Sequence, residues 1–217
     1  MSVEIALRAA RVRYGPLEAL HGLDLPVPAG AVTVLLGRNG SGRTTALRAL
    51  AGTVRLASGR VVWHGADVTR LHAHDRARRG LCFVPDLRAV YATLTVAENL
   101  DLATGDRRAE ALEAYPELAP FLARPAGTLS GGERRMLALS RAVASPARVV
   151  LVDEPALGMS PEVSSRTYRL LAALAEEGGA AVVLAEQRLP PGLPPGTLAH
   201  ELRRGSLAFS GEAAELR

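Results

Sequence analysis

The run Gly37-Arg38-Asn39-Gly40-Ser41-Gly42-Arg43-Thr44-Thr45 lies between an apolar segment, Val32 to Leu36, and a helix-forming one, Ala46 to Ala51. Apolar strand, glycine-rich turn and helix, in that order, are the setting that a phosphate-binding P-loop (Walker A motif) requires. Glycines let the backbone curl until successive N–H groups converge on one concavity, and the new helix adds the positive end of its dipole. Thr44 stands where the motif's hydroxyl ligates Mg²⁺. The lysine position holds Arg43, a planar fork where the motif expects a compact charge against the β- and γ-phosphates. The competing reading is a surface turn whose glycines serve tight geometry only.

The chain has 217 residues, enough to bury an ample core in one large domain or two closely packed pieces. It is 48% hydrophobic and only 4% aromatic, so the core must be mostly Leu, Val and Ala. No apolar run approaches the roughly 18 residues of a membrane span. The start, Met1-Ser2-Val3-Glu4-Ile5, carries no visible secretory signal, and the lone Cys82 fits a reducing compartment, which makes cytoplasm the expectation. Net charge is +4, and all 26 basic residues are arginine. They are scattered, with short clusters at Arg76/Arg78/Arg79 and Arg203/Arg204 and no aromatic-rich RNA-binding signature beside them. A solvated basic surface is therefore expected, with no nucleic-acid partner.

Taken in order, residues 3–13 alternate as a half-exposed antiparallel strand, Leu20 to Val27 gives a second, and Gly59 to Trp63 another. Residues 66–80 are polar and helical in part. His72 and His74 are spaced like a metal pair but have no third ligand nearby, so a solvated face is expected. Leu81 to Val84 is a buried strand stopped by Pro85-Asp86. Thr95 to Leu122 reads as helical, opened by a Thr95–Glu98 capping box and broken at Tyr115-Pro116. Ser130-Gly131-Gly132-Glu133 opens a helix to about Ala144. It is a capping box and, with its two glycines, a surface suited to phosphate. Arg148 to Val152 is a buried strand ending in Asp153-Glu154, where Mg²⁺ and a general base belong. Glu162 to Glu177 is a helix, and Ala180 to Ala185 a buried parallel strand ending at Glu186-Gln187. Pro190, Pro191, Pro194 and Pro195 forbid the next helix, and residues 198–209 close as a hairpin.

With the P-loop, Leu129-Ser130-Gly131-Gly132-Glu133 and Leu151-Val152-Asp153-Glu154-Pro155 in that order, the chain resembles the ATP-binding subunit of ABC transporters over nearly its whole length. Within that family it is most similar to the branched-chain amino-acid uptake subunits. That likeness rests on Tyr14-Gly15, Ala19-Leu20-His21-Gly22, Phe83-Val84-Pro85, Leu94 to Leu100, Leu157-Gly158-Met159-Ser160-Pro161 and Glu186-Gln187. The resemblance implies an α/β fold: a P-loop NTPase core with a mainly parallel sheet, an N-terminal antiparallel β-subdomain and an α-helical subdomain. It makes 1–217 one cassette, with core and β part at 1–86 and 146–217 and the helical part at about 87–145.

The same resemblance implies ATP and Mg²⁺ as cofactors. Tyr14 stacks on adenine, and Gly37, Arg38, Asn39, Gly40, Ser41, Gly42, Arg43, Thr44 and Thr45 hold the phosphates. Asp153 supports Mg²⁺ with Thr44, and Glu154 polarises the attacking water. Asp86 takes the place of the Mg²⁺-sensing Q-loop residue, usually Gln or Glu. Gln187 takes that of a switch histidine. Ser130, Gly131 and Gly132 meet ATP held by a second ATP-binding subunit, and transmembrane permease subunits dock near Asp86 to Leu100, where Val90, Tyr91 and Leu94 could form an apolar groove. This places the chain in the cytoplasm, peripheral on the inner face of the membrane. The expected function is coupling ATP binding and hydrolysis to import. The alternative is a hydrolysis-impaired switch, because Arg43, Asp86 and Gln187 depart from the pattern in one site while the signature Ser130–Glu133 is intact.

Overall fold

The computed structural model describes residues 2–86, 89–104 and 107–216, the side chains of residues 103 and 104 excepted. In chain order it begins with β1 (Val3–Tyr14), β2 (Leu17–Pro28), β3 (Ala31–Leu36), α1 (Arg43–Ala51), β4 (Ser58–Trp63), β5 (Ala66–Asp67), α2 (Ala73–Arg78) and β6 (Leu81–Val84). Then come α3 (Val96–Thr104), α4 (Arg108–Ala114), α5 (Gly131–Val143), β7 (Val149–Asp153), α6 (Pro161–Glu176), β8 (Ala181–Glu186), β9 (Leu198–Arg203) and β10 (Ser206–Glu212). Two sheets result. One is antiparallel, ordered β2-β1-β4-β5. The other is ordered β10-β9-β3-β8-β7-β6, parallel except for β10.

Every residue of β3 and of β7 is buried, as continuous apolar strands covered on both faces must be. Alternation decides which layer each side chain joins. Leu35, Leu151 and Val183 meet Leu47 and Leu50 of α1, which the antiparallel sheet covers from outside through Ile5, Leu7 and Leu25. Val34, Val150 and Val182 point the other way, into a layer with Leu137 of α5 and Leu171 of α6. Thus α1 is clamped between two sheets, which fixes the loop that starts it.

Strand β1 departs from simple alternation. Ala9 has φ 47°, the register against β2 slips there, and Glu4 is buried as well, accepting a hydrogen bond from Trp63 Nε1 at 3.0 Å. The stretch 95–122 is not one helix. Tyr115, ahead of Pro116, is pushed to φ −136°, ψ 78°, and a 3₁₀ turn over Pro116–Phe121 follows. Its ring is fully buried, its hydroxyl 2.9 Å from Thr167 Oγ1. The prolines at 190–195 leave no helix between β8 and β9, and β9 enters the sheet parallel to β3 (Leu35 opposite His200).

Candidate functional site

Helix α1 starts without a side-chain cap and without an acidic residue in its first turn, so its first amides and dipole are left for a ligand. The loop before it depends on glycine at two points. A Cβ on Gly37 would lie 2.5 Å from Ser41 Oγ and 2.6 Å from the Leu202 carbonyl. Gly42, at φ 106°, has the Ala19 carbonyl and Leu20 Cδ2 each 3.0 Å from where a Cβ would stand. The loop is also held from outside by the β9–β10 turn. Gly205 donates its N–H to the Ser41 carbonyl at 2.8 Å and accepts from the His21 N–H at 2.9 Å.

Above the loop opens a cavity of about 860 Å³, lined by Arg38 to Thr45, Tyr14, Asp86, Glu154 and Gln187. Tyr14 is 42% exposed at the rim, which excludes a core role for it. Leu17, Glu18, His21 and Arg204 line the same cavity, and the sequence reading gave none of the four a role in the site. The β1–β2 turn at Gly15, which puts Leu17 opposite Tyr14, was the available signal for the first three.

Asp86 and Glu154 put carboxylates on the cavity wall, and Asp153, next to Glu154, is not itself among the lining residues. Asp153 is buried, and burial raises its carboxyl, with the negative charges of Asp86 and Glu154 acting in the same direction; the Thr44 hydroxyl and the Arg43 charge oppose. Three buried polar atoms around the loop have no hydrogen-bond partner among the described residues: Asp153 Oδ2, Ser41 Oγ and Arg43 Nη1. A carboxylate oxygen beside a hydroxyl and a guanidinium suits a polyanion carrying a divalent cation, so the donor set fits ATP with Mg²⁺.

Arg43 does not project along the loop. It is 6% exposed, and its Nη2 donates to Glu154 Oε1 at 3.3 Å. Gln187 Nε2 donates to the same oxygen at 3.2 Å. Glu154 itself has φ 50°, left-handed backbone that a side-chain-bearing residue adopts only at a cost of about 1–3 kcal/mol, and such strain gathers at functional sites. Glu186, one residue before Gln187, accepts a hydrogen bond from the Tyr168 hydroxyl, and burial holds its carboxyl above the usual range.

Sequence reading missed Arg135. It lies on α5, 5% exposed, and its guanidinium donates to the Pro85 carbonyl at 2.5 Å, the Pro155 carbonyl at 3.4 Å and the Asp153 carbonyl. Burial pulls its pKa down, while Asp153 and Asp86 pull it back up. One side chain thereby joins α5 to the backbone beside Asp86 and on both sides of Glu154. An arginine in the middle of a helix gave no warning of this.

The start of α5 sits apart from the cavity, and none of Ser130, Gly131 and Gly132 lines it. Ser130 Oγ accepts from the Glu133 N–H at 3.2 Å and Glu133 Oε2 accepts from the Ser130 N–H at 2.7 Å, a complete capping box. Ser130 and Gly131 are exposed, and a Cβ on Gly131 would meet nothing within 4 Å. Gly132 packs against the loop after Glu154, where a Cβ would lie 2.7 Å from the Gly158 carbonyl. In the docking segment Asp86 to Leu100, Leu87 and Arg88 lie outside the described residues, as do 105 and 106 of the helical part. Tyr91 there is 57% exposed. His72 and His74 stack their rings 5.6 Å apart, and no metal-holding group of three ligands occurs among the described residues.

A P-loop under a parallel sheet, strand-end carboxylates facing it, and a capped glycine-rich helix start turned outward define a nucleotide-binding cassette. Residues 20–157 match the family described as ABC transporter, and the chain belongs to that family. It is 36% identical over 211 residues to the "Probable branched-chain amino acid transport ATP-binding protein LivF" of Archaeoglobus fulgidus, covering 94% of this chain and 89% of that one. It is 33% identical to the high-affinity branched-chain amino acid transport ATP-binding protein BraG of Pseudomonas aeruginosa, covering 94% and 90%. Among solved structures, the dimeric structure of a bacterial ABC transporter cassette matches with a TM-score of 0.83 at 22% identity, over 96% of this chain and 98% of the other. The fold is therefore that of an ABC ATPase.

Proposed function

We propose that this chain is the ATP-binding subunit that couples ATP binding and hydrolysis to uptake of branched-chain amino acids, or a similar small solute, by an ABC importer. The observation that carries the reading is the single concavity in which the amides of Asn39 to Thr45 meet Glu154 and Gln187. The amides hold the phosphates, and Tyr14 offers its exposed ring to the adenine. Thr44, Asp153 and Asp86 are the residues that would hold Mg²⁺. Bound there, the cation neutralises charge on the β- and γ-phosphates. Glu154 accepts the proton of the attacking water, and Gln187 fixes the carboxylate that receives it.

Ser130, Gly131 and Gly132 have no role in their own cavity. The outward exposure of Ser130 and Gly131 supports pairing with a second ATP-binding subunit, head to tail, so that this helix start faces the γ-phosphate it holds. Permease subunits dock near Asp86 to Leu100, which puts the chain peripherally on the inner face of the membrane. No helix among the described residues is long and apolar enough to cross a membrane.

One observation favours a second reading, the hydrolysis-impaired switch. Glu154 Oε1 accepts from both Arg43 and Gln187, so the base is engaged before any water reaches it. In that reading Arg43 restrains turnover at this chain's own site, and the partner's site, completed by Ser130 to Gly132, does most of the hydrolysis. Steady-state ATPase of the purified chain, alone and with its partner cassette, separates the two. Arg43→Lys is expected to raise turnover about fivefold, which corresponds to roughly 1 kcal/mol of barrier. An unchanged rate in the reconstituted pair counts against any restraint by Arg43.

A further inference from the structure

A second cavity, of about 650 Å³, opens at the far end of α1 from the P-loop. Its wall carries Arg55, Arg70, Arg76 and His72, and no carboxylate lines it among the described residues. Arg55 and Arg70 are exposed at the mouth, whereas Arg76 forms the floor and is 2% exposed. None of the three guanidiniums makes an ion pair among the described residues. Asp67 is the acid that acts on Arg70 and Arg76, but it is exposed and already accepts from the Thr69 N–H at 2.9 Å.

Arg76 is a buried cation held by carbonyls alone. Its Nη1 donates to Ala49 and Leu50 at 2.8 and 2.6 Å, and its Nη2 to Val68 and Thr69 at 2.9 and 3.2 Å. Its Nε–H has no hydrogen-bond partner among the described residues. Gly52 lines the cavity beside it, where a Cβ would stand 2.8 Å from Nε, 3.0 Å from Cζ and 3.1 Å from the Leu71 carbonyl, so glycine leaves the guanidinium uncrowded on that side. Burial lowers the Arg76 pKa only to about 10, so the charge persists at neutral pH. A buried positive charge with an open donor, flanked by two further guanidiniums, is a setting that phosphate completes. The apolar wall of Val54, Leu56 and Leu71 gives room for an organic group, and the volume is ordinary for a small-molecule site.

We infer that this cavity binds a small phosphate monoester, with the phosphate against Arg76, Arg55 and Arg70 and the organic part against Leu56 and Leu71. Because Arg76 grips the last carbonyls of α1, whose first turn belongs to the P-loop, an occupant bears on the helix that carries the nucleotide site. The inference needs no assumption about the transported solute or the partner cassette.

The P-loop also takes phosphate, so the test must report position. The full chain, ¹⁵N-labelled, is titrated with glycerol 3-phosphate to about 10 mM at constant ionic strength, and amide shifts are followed in 53–56 and 69–72 separately from 38–45. Saturable shifts in the first two stretches, with a midpoint at least tenfold weaker in Arg55→Gln/Arg70→Gln, are the expected result. Shifts confined to 38–45 would overturn the inference, as would shifts reproduced by chloride or unaltered by the double substitution. Both substituted arginines are exposed, and the mapping on the unsubstituted chain decides the matter should the variant be unstable.

Discussion

The P-loop and the start of α5, the two surfaces proposed above to meet the phosphates of ATP, are built in opposite ways. Around the P-loop the polar side chains are turned on one another: Arg43 and Gln187 share one oxygen of Glu154, and Gly205 fastens the loop from behind. At the start of α5 the polar groups complete only their own helix cap, and Ser130 and Gly131 face outward. A capped hydroxyl still has its own hydrogen to donate, because Ser130 Oγ serves the cap as an acceptor. The locked surface must rearrange in order to act. The open one is ready as it stands.

The strongest way to break this contrast is to cut the tie between the two surfaces. Arg135→Met removes a buried guanidinium and strands three carbonyls, a loss of about 3 kcal/mol that lowers Tm by roughly 6–12 °C in a chain of this size. A Tm within 2 °C of wild type would show that Arg135 joins nothing of consequence.

Less disruptive, and sharper, is to compare one residue from each surface in the reconstituted cassette pair. On the impaired-switch reading, Ser130→Ala is expected to cut ATPase about tenfold or more, as loss of a transition-state donor does, whereas Glu154→Gln changes it about threefold at most; if Glu154 is the working base, its loss is the larger, about 100-fold or more. The reverse order would mean that the locked site carries the turnover.

The smallest effect expected is that of acid on the sheet behind the P-loop. His200 is buried on β9 with neither ring nitrogen hydrogen-bonded among the described residues, and burial lowers its pKa. The unfolded chain therefore takes up a proton that the folded one resists, so stability from this group is present above the ordinary histidine value of 6.5 and lost as pH falls below it. Asp153 and Glu186, raised by burial, act in the opposite sense and favour the fold as pH falls. Thermal unfolding at pH 7.5 and 5.5 isolates His200 through His200→Leu. The wild type is expected to lose more Tm between the two values than the variant does. Equal losses would refute the assignment.

Much of this was legible beforehand, for reasons that are local. The apolar runs at 32–36 and 149–152 and the glycines at 37, 40 and 42 declare themselves by adjacency, as do the capping boxes at 95–98 and 130–133. The break at Tyr115-Pro116 was readable because proline restricts its predecessor. What escaped were contacts set by packing across distant segments. Arg135 reaching three carbonyls, Arg43 turning onto Glu154 and Gly205 fastening Ser41 each join positions at least 18 residues apart. No spacing rule encodes such contacts. They follow from which helix lies under which strand end.

The fastening at Gly205 has a consequence for how the protein is made. The P-loop leaves the ribosome well before the β9–β10 hairpin, yet its carbonyl at Ser41 acquires its partner only when that hairpin arrives. Until then β3 lacks β9 along one edge. The nascent cassette thus carries an unfinished cradle until residues 198–212 emerge and close it.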